Sequence, residues 1–265
     1  GLAAARQYIR HEEPFWSKEL LRLSHGKFSA EIVPFDRAGV PGQDMLRLMQ
    51  LGVVPLGNLQ LNRIASQEPE FNAPDLAGLN PDMATLKKNV GAFRPYLEKT
   101  LRERYGIELL TIYVYPAQVV FCKNPLATMA DLAGRRTRVS SATGADFVEA
   151  FGGIPVLTGF SEIMPNMATG NIECAITGTM SGNTIGLHEV TTHLHTMTVT
   201  WGLSIFAANS AAWKGMPPEL KALLQTELPK LEAAIWSESD RETAEGIACN
   251  TGSATCTDGR QGKMQ

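Results

Sequence analysis

The sequence predicts an α/β protein, and three observations carry that prediction. Segments with helical period alternate with short runs rich in strand formers. The 265 residues exceed the roughly 150 of an average domain. At Tyr115-Pro116 the alternation starts afresh, as a second α/β unit would. One large domain or two lobes both fit this length. Strands alternating with helices imply a largely parallel sheet with right-handed crossovers.

Taken in order, Phe15, Trp16, Leu20, Leu21 and Leu23 recur at helical spacing and predict an amphipathic helix that stops at Gly26. FSAEIVPF, residues 28–35, alternates and reads as a strand, and Asp44 to Leu51 returns to helical spacing before Gly52. A long helix is expected over Ala84 to Tyr105 on its Phe93, Leu97, Leu101 stripe, then a strand over Glu108 to Tyr115. After Pro116 come a strand in VVFC, a short helix over Thr128 to Ala133 stopped by Gly134, and a strand through Arg138 and Val139. Helices follow around Ala145 to Phe151 and over Ser161 to Thr169, the latter with Ser161 as N-cap. Thr191 to Asn209 is rich in β-branched and aromatic residues and long enough for one strand crossing between lobes. Pro217-Pro218-Glu219 opens a long C-terminal helix along Leu220, Leu224, Leu228, Leu231 and Ile235, kinked at Pro229.

Charge and cysteine usage narrow the class. Lys and Arg number 24 against 27 Asp and Glu, a net charge of −3. With no basic surplus to neutralise a phosphate backbone, nucleic acid is not an expected partner. No window approaches the roughly 18 apolar residues that span a bilayer, and residues 1–10 lack the charged-then-apolar pattern of a signal peptide. Cys249 and Cys256 sit close together in CNTGSATC, a polar loop with no apolar anchor, and are expected to form a disulfide in an oxidising compartment. Cys122 and Cys174 lie in apolar runs and are expected to stay reduced and shielded.

Catalytic and cofactor motifs fail on spacing. HEVTTH, His188 to His193, has its histidines five apart, whereas a zincin needs them four apart on one helical face. GTMSG holds its serine at the wrong place for a nucleophile elbow, and no Walker loop, GxGxxG or cysteine cluster of zinc spacing occurs. The expectation is therefore a protein that is not an enzyme and carries neither metal nor cofactor. What stands out is cationic: DLAGRRTRV puts Arg135, Arg136 and Arg138 just after a helix stop. Alternation sends Arg136 and Arg138 to one face of the strand and Arg135 to the other. An arginine fork at a strand end suits a planar carboxylate, which it meets with two parallel charge-assisted bonds.

The run Met129 to Glu173 ties these residues together. Asp131, Leu132, Gly134, Arg138 and Val139, then Gly152, Pro155, Val156, Phe160, Ser161, Glu162, Ala168, Gly170 and Glu173, stand at the spacing of a signature. Earlier, Gly26, Pro34, Asp44, Met45, Leu46, Gln50 and Gly52 fit a second one. The chain thus resembles the substrate-binding proteins of TRAP transporters, the dicarboxylate-binding (DctP) family, over nearly its whole length.

The resemblance implies a two-lobed, periplasmic-binding-protein-like α/β fold with a hinge, lobe I being residues 1–115 plus 204–243 and lobe II 116–203 plus 244–265. It implies a monomeric periplasmic receptor that binds a small organic acid anion and delivers it to the membrane subunits of a TRAP transporter. A sensory ligand-binding module and an enzyme on the same architecture are the alternatives. Arg138 occupies the family's carboxylate-binding position, Phe160 the aromatic that packs on the ligand, and Ser141 a polar contact. Gln118 stands where many members carry a second arginine, and a neutral amide hydrogen-bonds without neutralising charge. Thr177 replaces a frequent asparagine, and Gln60 lies where a lobe I residue sometimes reaches the ligand. The family's leading strand lies outside this sequence, which starts on what reads as the following helix. One family-matched cation predicts a ligand with a single dominant carboxylate.

Overall fold

The structure, a computed structural model, describes residues 1–65 and 67–265. In chain order, π-helical turns Tyr8–Glu12 and Phe15–Glu19 run into α1 (Leu20–Leu23), followed by α2 (Met45–Gln50), β1 (Leu56–Gln60) and α3 (Leu61–Ile64). A 3₁₀ segment, Pro69–Asp75, leads to α4 (Met83–Tyr105), β2 (Ile107–Val114) and β3 (Gln118–Cys122). Then come β4 (Arg136–Val139), α5 (Ala142–Ala150), β5 (Ile154–Leu157), α6 (Ile163–Ala168), β6 (Cys174–Gly178), α7 (Thr179–Thr184) and α8 (Leu187–Val190). β7 (His193–Thr200), β8 (Leu203–Asn209), α9 (Ser210–Gly215) and the 34-residue α10 (Pro218–Thr251) complete the order. These elements sort into two compact units, one of Gly1–Phe71, Val90–Val114 and Leu203–Glu238, the other of Asn72–Asn89, Tyr115–Gly202 and Ser239–Gln265. Among the described residues no helix is long and apolar enough to cross a membrane.

The first unit holds a sheet in the order β1-β8-β2, with β8 antiparallel to both neighbours. The parallel sheet expected from the alternation is therefore not found here. Leu224, Leu228, Leu231 and Ile235 fall on one face of α10 and pack with Phe15, Trp16, Leu20, Tyr113 and Phe206. The Trp236 indole is anchored by donating to Ile112 O at 2.7 Å. The expected strand over residues 28–35 is also absent: residues 28–34 have no regular structure and Phe35–Arg37 is a 3₁₀ turn. Phe28, Ala30 and Ile32 do pack against the core. The alternation was real, but period two reports a buried face and not the neighbour that a ladder needs.

The second unit holds five strands in the order β5-β4-β6-β3-β7. β4 runs parallel to β5 and β6, and β3 antiparallel to β6 and β7, so the sheet is mixed. One face packs Val120, Cys122, Val139 and Ile176 under Leu126, Met129, Leu132 and Val148. The other packs Val119, Phe121 and Ala175 under Ile163, Met167, Ile172, Leu187 and Met264. Burial on both faces explains why β3 and β6 read as continuous apolar runs. The single strand expected over Thr191 to Asn209 is two, β7 and β8, in different sheets, broken at Trp201-Gly202, where Gly202 takes φ +86°. Ser161 does not cap α6: the helix starts at Ile163 behind Glu162, because the turn Gly159–Ile163 already supplies the first backbone bonds.

Cys249 and Cys256 are disulfide-bonded, and so are Cys122 and Cys174, which corrects the expectation of two reduced thiols. Cys122 on β3 lies directly opposite Cys174 on β6, with Cα atoms 4.1 Å apart. Apolar surroundings announced burial but not register across 52 residues.

Candidate functional site

In the second unit, β4, β5 and β6 run parallel, and β3 begins opposite the end of β6. The carboxyl ends of three strands and the start of β3 therefore share one sheet edge. Open α/β sheets bind ligands outside such an edge. Arg138 is the third residue of β4's four, Thr177 the fourth of β6's five, and Gln118 the first of β3, while Ser141 and Phe160 follow β4 and β5. Five of the six residues singled out from sequence thus meet at one edge. Gln60 does not; it ends β1 in the first unit, opposite Ser204, and precedes α3.

Arg138 is only 3% exposed. Its Nε and Nη2 donate to Thr158 O at 3.2 and 3.1 Å, and Nη1 donates to Ile176 O at 2.8 Å. Thr158 follows β5 and Ile176 lies in β6, so both flanking strands orient the fork. A buried guanidinium is strongly favoured to keep hydrogen-bonded partners, and these carbonyls hold the Arg138 fork in a defined orientation. Arg136 and Arg135 differ. Arg136 is exposed at the start of β4, donates to Asn171 O and Gly170 O at 2.9 Å each, and lies 3.9 Å from Glu173. Arg135 clips Asn124 O and Pro125 O.

Register divides the group by face. Arg138 lies beside Ala175 and Val156, on the face where Phe160 packs half-buried with Val119 and Phe121. Thr177, two residues beyond Ala175, shares that face. Gln118 belongs to the alternate set with Val120 and Cys122. Its Nε2 donates to Trp201 O at 3.2 Å and its Oε1 accepts from Ser140 Oγ at 3.4 Å. Ser141 is the N-cap of α5, its Oγ accepting from Gly144 N at 3.1 Å. That α5 N-terminus opens at the same edge, where its dipole favours negative charge.

Sequence reasoning missed Asp75. Its carboxylate accepts from Trp201 N, Gly202 N and Asn80 Nδ2, and burial pushes its pKa up to about 6 against the lowering effect of those donors. FNAPDL reads as turn chemistry, and nothing in it names amides 126 residues away. His188 and His193 fall in different elements, α8 and β7, and burial lowers the His188 pKa. Among the described residues, the metal-type grouping Glu245, Cys249 and Cys256 has both sulfurs engaged in a disulfide.

A mixed fold of this kind, with polar residues gathered at a strand edge and a long C-terminal helix, is the architecture of a solute-binding protein. Residues 3–250 match the family described as bacterial extracellular solute-binding protein, family 7 (DctP), and the chain belongs to that family. Similar solved structures include DctP7 of Bordetella pertussis, an extracytoplasmic solute receptor binding pyroglutamic acid, at 22% identity and TM-score 0.86, covering 94% of this chain and 81% of that one. DctP6 of the same organism, also binding pyroglutamic acid, matches at 20% identity and TM-score 0.87, over 99% and 86%. A marine metagenome TRAP solute-binding protein specific for pyroglutamate, from an unidentified microbe, matches at 19% and 0.85, over 94% and 81%. These likenesses establish a shared fold.

Proposed function

We propose that the protein is a periplasmic receptor that binds a small organic acid anion at the carboxyl edge of the five-stranded sheet and hands it to the membrane subunits of a TRAP transporter. The observation that carries this reading is Arg138: a buried arginine at the end of a parallel strand, its fork aimed by Thr158 O and Ile176 O. Solved proteins of this fold bind pyroglutamate, galacturonate, orotate and malonate, all of them carboxylates. In this reading Arg138 takes the ligand carboxylate, Phe160 and Thr177 flank it on the same face, and Gln118 and Ser141 form the polar side of the edge. The two units act as the lobes of a monomeric receptor that performs no catalysis.

Arg136 is engaged at the other end of β4, which supports a ligand with one dominant carboxylate. A second buried carboxylate without a cation costs several kcal/mol. A thermal-shift screen with pyroglutamate, orotate, galacturonate and malonate tests the reading. A monocarboxylate at 100 times its dissociation constant is expected to add about 2.7 kcal/mol of stability. A shift with malonate larger than with every monoacid overturns the single-carboxylate reading. Shifts with neutral amides or sugars but none with the acids overturn carboxylate binding altogether.

A further inference from the structure

The chain leaves the five-stranded sheet for the three-stranded one at Trp201-Gly202, between β7 and β8. Both backbone N–H groups of this pair converge on one side chain. Gly202 N lies 2.7 Å from Asp75 Oδ2, and Trp201 N lies 3.1 Å from each Asp75 oxygen. Both carbonyls are held from other elements: Trp201 O accepts from Gln118 Nε2 at 3.2 Å and Gly202 O from Tyr115 N at 3.2 Å. The Trp201 indole donates to Asn80 O at 3.0 Å. Glycine is required at 202, since a Cβ there would stand 2.7 Å from Gln118 Nε2 on a backbone of φ +86°. The Trp201 peptide group is therefore a bridge, with Asp75 on its nitrogen and Gln118 on its oxygen.

We propose that Asp75 is a positioning residue and a proton-operated latch: ionised, it clamps the Trp201 and Gly202 amides and so fixes the carbonyl that orients Gln118 at the ligand edge; protonated, it releases them and solute affinity falls. The proposal deepens the receptor reading and rests on it for the ligand. An ionised carboxylate accepts on both oxygens and binds N–H donors about twice as strongly as a neutral group does. The groups facing Asp75 are the Trp201-Gly202 backbone and Asn80, whose own oxygen accepts from Asn89 of α4. From the β2–β3 side, Tyr115 lies against Gly202. The described influences on Asp75 are burial, which raises its pKa, and the bonds from Gly202, Trp201 and Asn80, which lower it. The latch is ionised above about pH 6 and protonated below it.

Amide NMR of the intact chain between pH 4.5 and 7.5 tests the latch without any ligand. The Trp201 and Gly202 amides should titrate together with a midpoint near 6 and be flat in Asp75→Asn. A midpoint below about 4.5, the ordinary carboxylate range, or an unchanged titration in Asp75→Asn, overturns the latch. In parallel, calorimetry with pyroglutamate, which stays ionised over this range, should show affinity falling about tenfold from pH 7.5 to 5, the scale of one charge-assisted hydrogen bond, and less than twofold in Asp75→Asn. An amide midpoint near 6 with pH-independent affinity overturns the link to Gln118. If none of pyroglutamate, orotate, galacturonate and malonate binds at any pH, the receptor reading falls, and the amide midpoint in the parent still decides the latch.

Discussion

The two units each contain a partly or fully buried arginine, and the two are answered in different ways. In the first unit, Arg94 on α4 meets Glu232 of α10 through Nη1 at 2.7 Å and Nη2 at 3.2 Å, and Glu232 also accepts from Ile112 N. A carboxylate of the protein itself completes that fork, so Arg94 ties helix to helix and to sheet. In the second unit, Arg138 is oriented by backbone carbonyls of β6 and of the residue following β5. Backbone carbonyls fix the orientation of a guanidinium through hydrogen-bond geometry. The first arrangement belongs to architecture; the second is the one we propose for recognition. The disulfides follow the same division, for both lie in the second unit.

The largest effect that would break this comparison is on binding. Arg138→Ala should weaken organic acid binding by 2–5 kcal/mol, about 30-fold to several thousandfold, the range for truncating one side of a buried charged pair. It should also cost about 2 kcal/mol of fold stability, because Thr158 O and Ile176 O lose their donor. Arg138→Lys should bind poorly too, since a point charge cannot reproduce the fork. Arg94→Ala should destabilise the fold yet leave affinity within about threefold of the parent. Calorimetry beside thermal melting separates the two; equal loss of affinity in both variants would erase the distinction.

Next in size are the disulfides. Closing the 52-residue separation of Cys122 and Cys174 should stabilise the chain by about 4 kcal/mol, and the seven-residue separation of Cys249 and Cys256 by about 2.5 kcal/mol, by chain-entropy reasoning. Denaturant titration of the two double alanine variants checks the order, and alkylation without reductant should label none of the four cysteines. The smallest effect sharpens the edge itself. Ser141→Ala should cost about 1 kcal/mol of stability through its lost N-cap while affinity stays within about threefold. A tenfold loss of affinity at unchanged stability would make its hydroxyl a ligand contact instead of a cap.

What the residues disclosed in advance follows from the range of the forces involved. Helical stripes such as Leu224, Leu228, Leu231 and Ile235 report burial locally, and the long C-terminal helix was legible from them. Arg138 stood out because its neighbours follow a spaced pattern. Pairing was not legible. The alternation of Phe28, Ala30 and Ile32 says that one face is covered, but not whether a strand lies alongside. Cys122 and Cys174 each looked merely buried, and only the β3–β6 register sets them opposite each other. Asp75 is the extreme case, a carboxylate in a turn whose partners are backbone amides. Amides are the same in every residue, so no side-chain pattern encodes them.

The Cys122–Cys174 bond closes a covalent ring around β4, α5, β5 and α6, with Arg138 inside it. If the molecule were gripped at its two ends and stretched, tension would pass through the sulfurs and bypass everything between them. At roughly 3.5 Å per residue, the separation of 52 residues holds back about 180 Å of contour length. A single-molecule pulling trace would therefore end short by that length, and gain it when a reductant is added. The stretch of chain that carries the arginine is mechanically silent until the bond is cut.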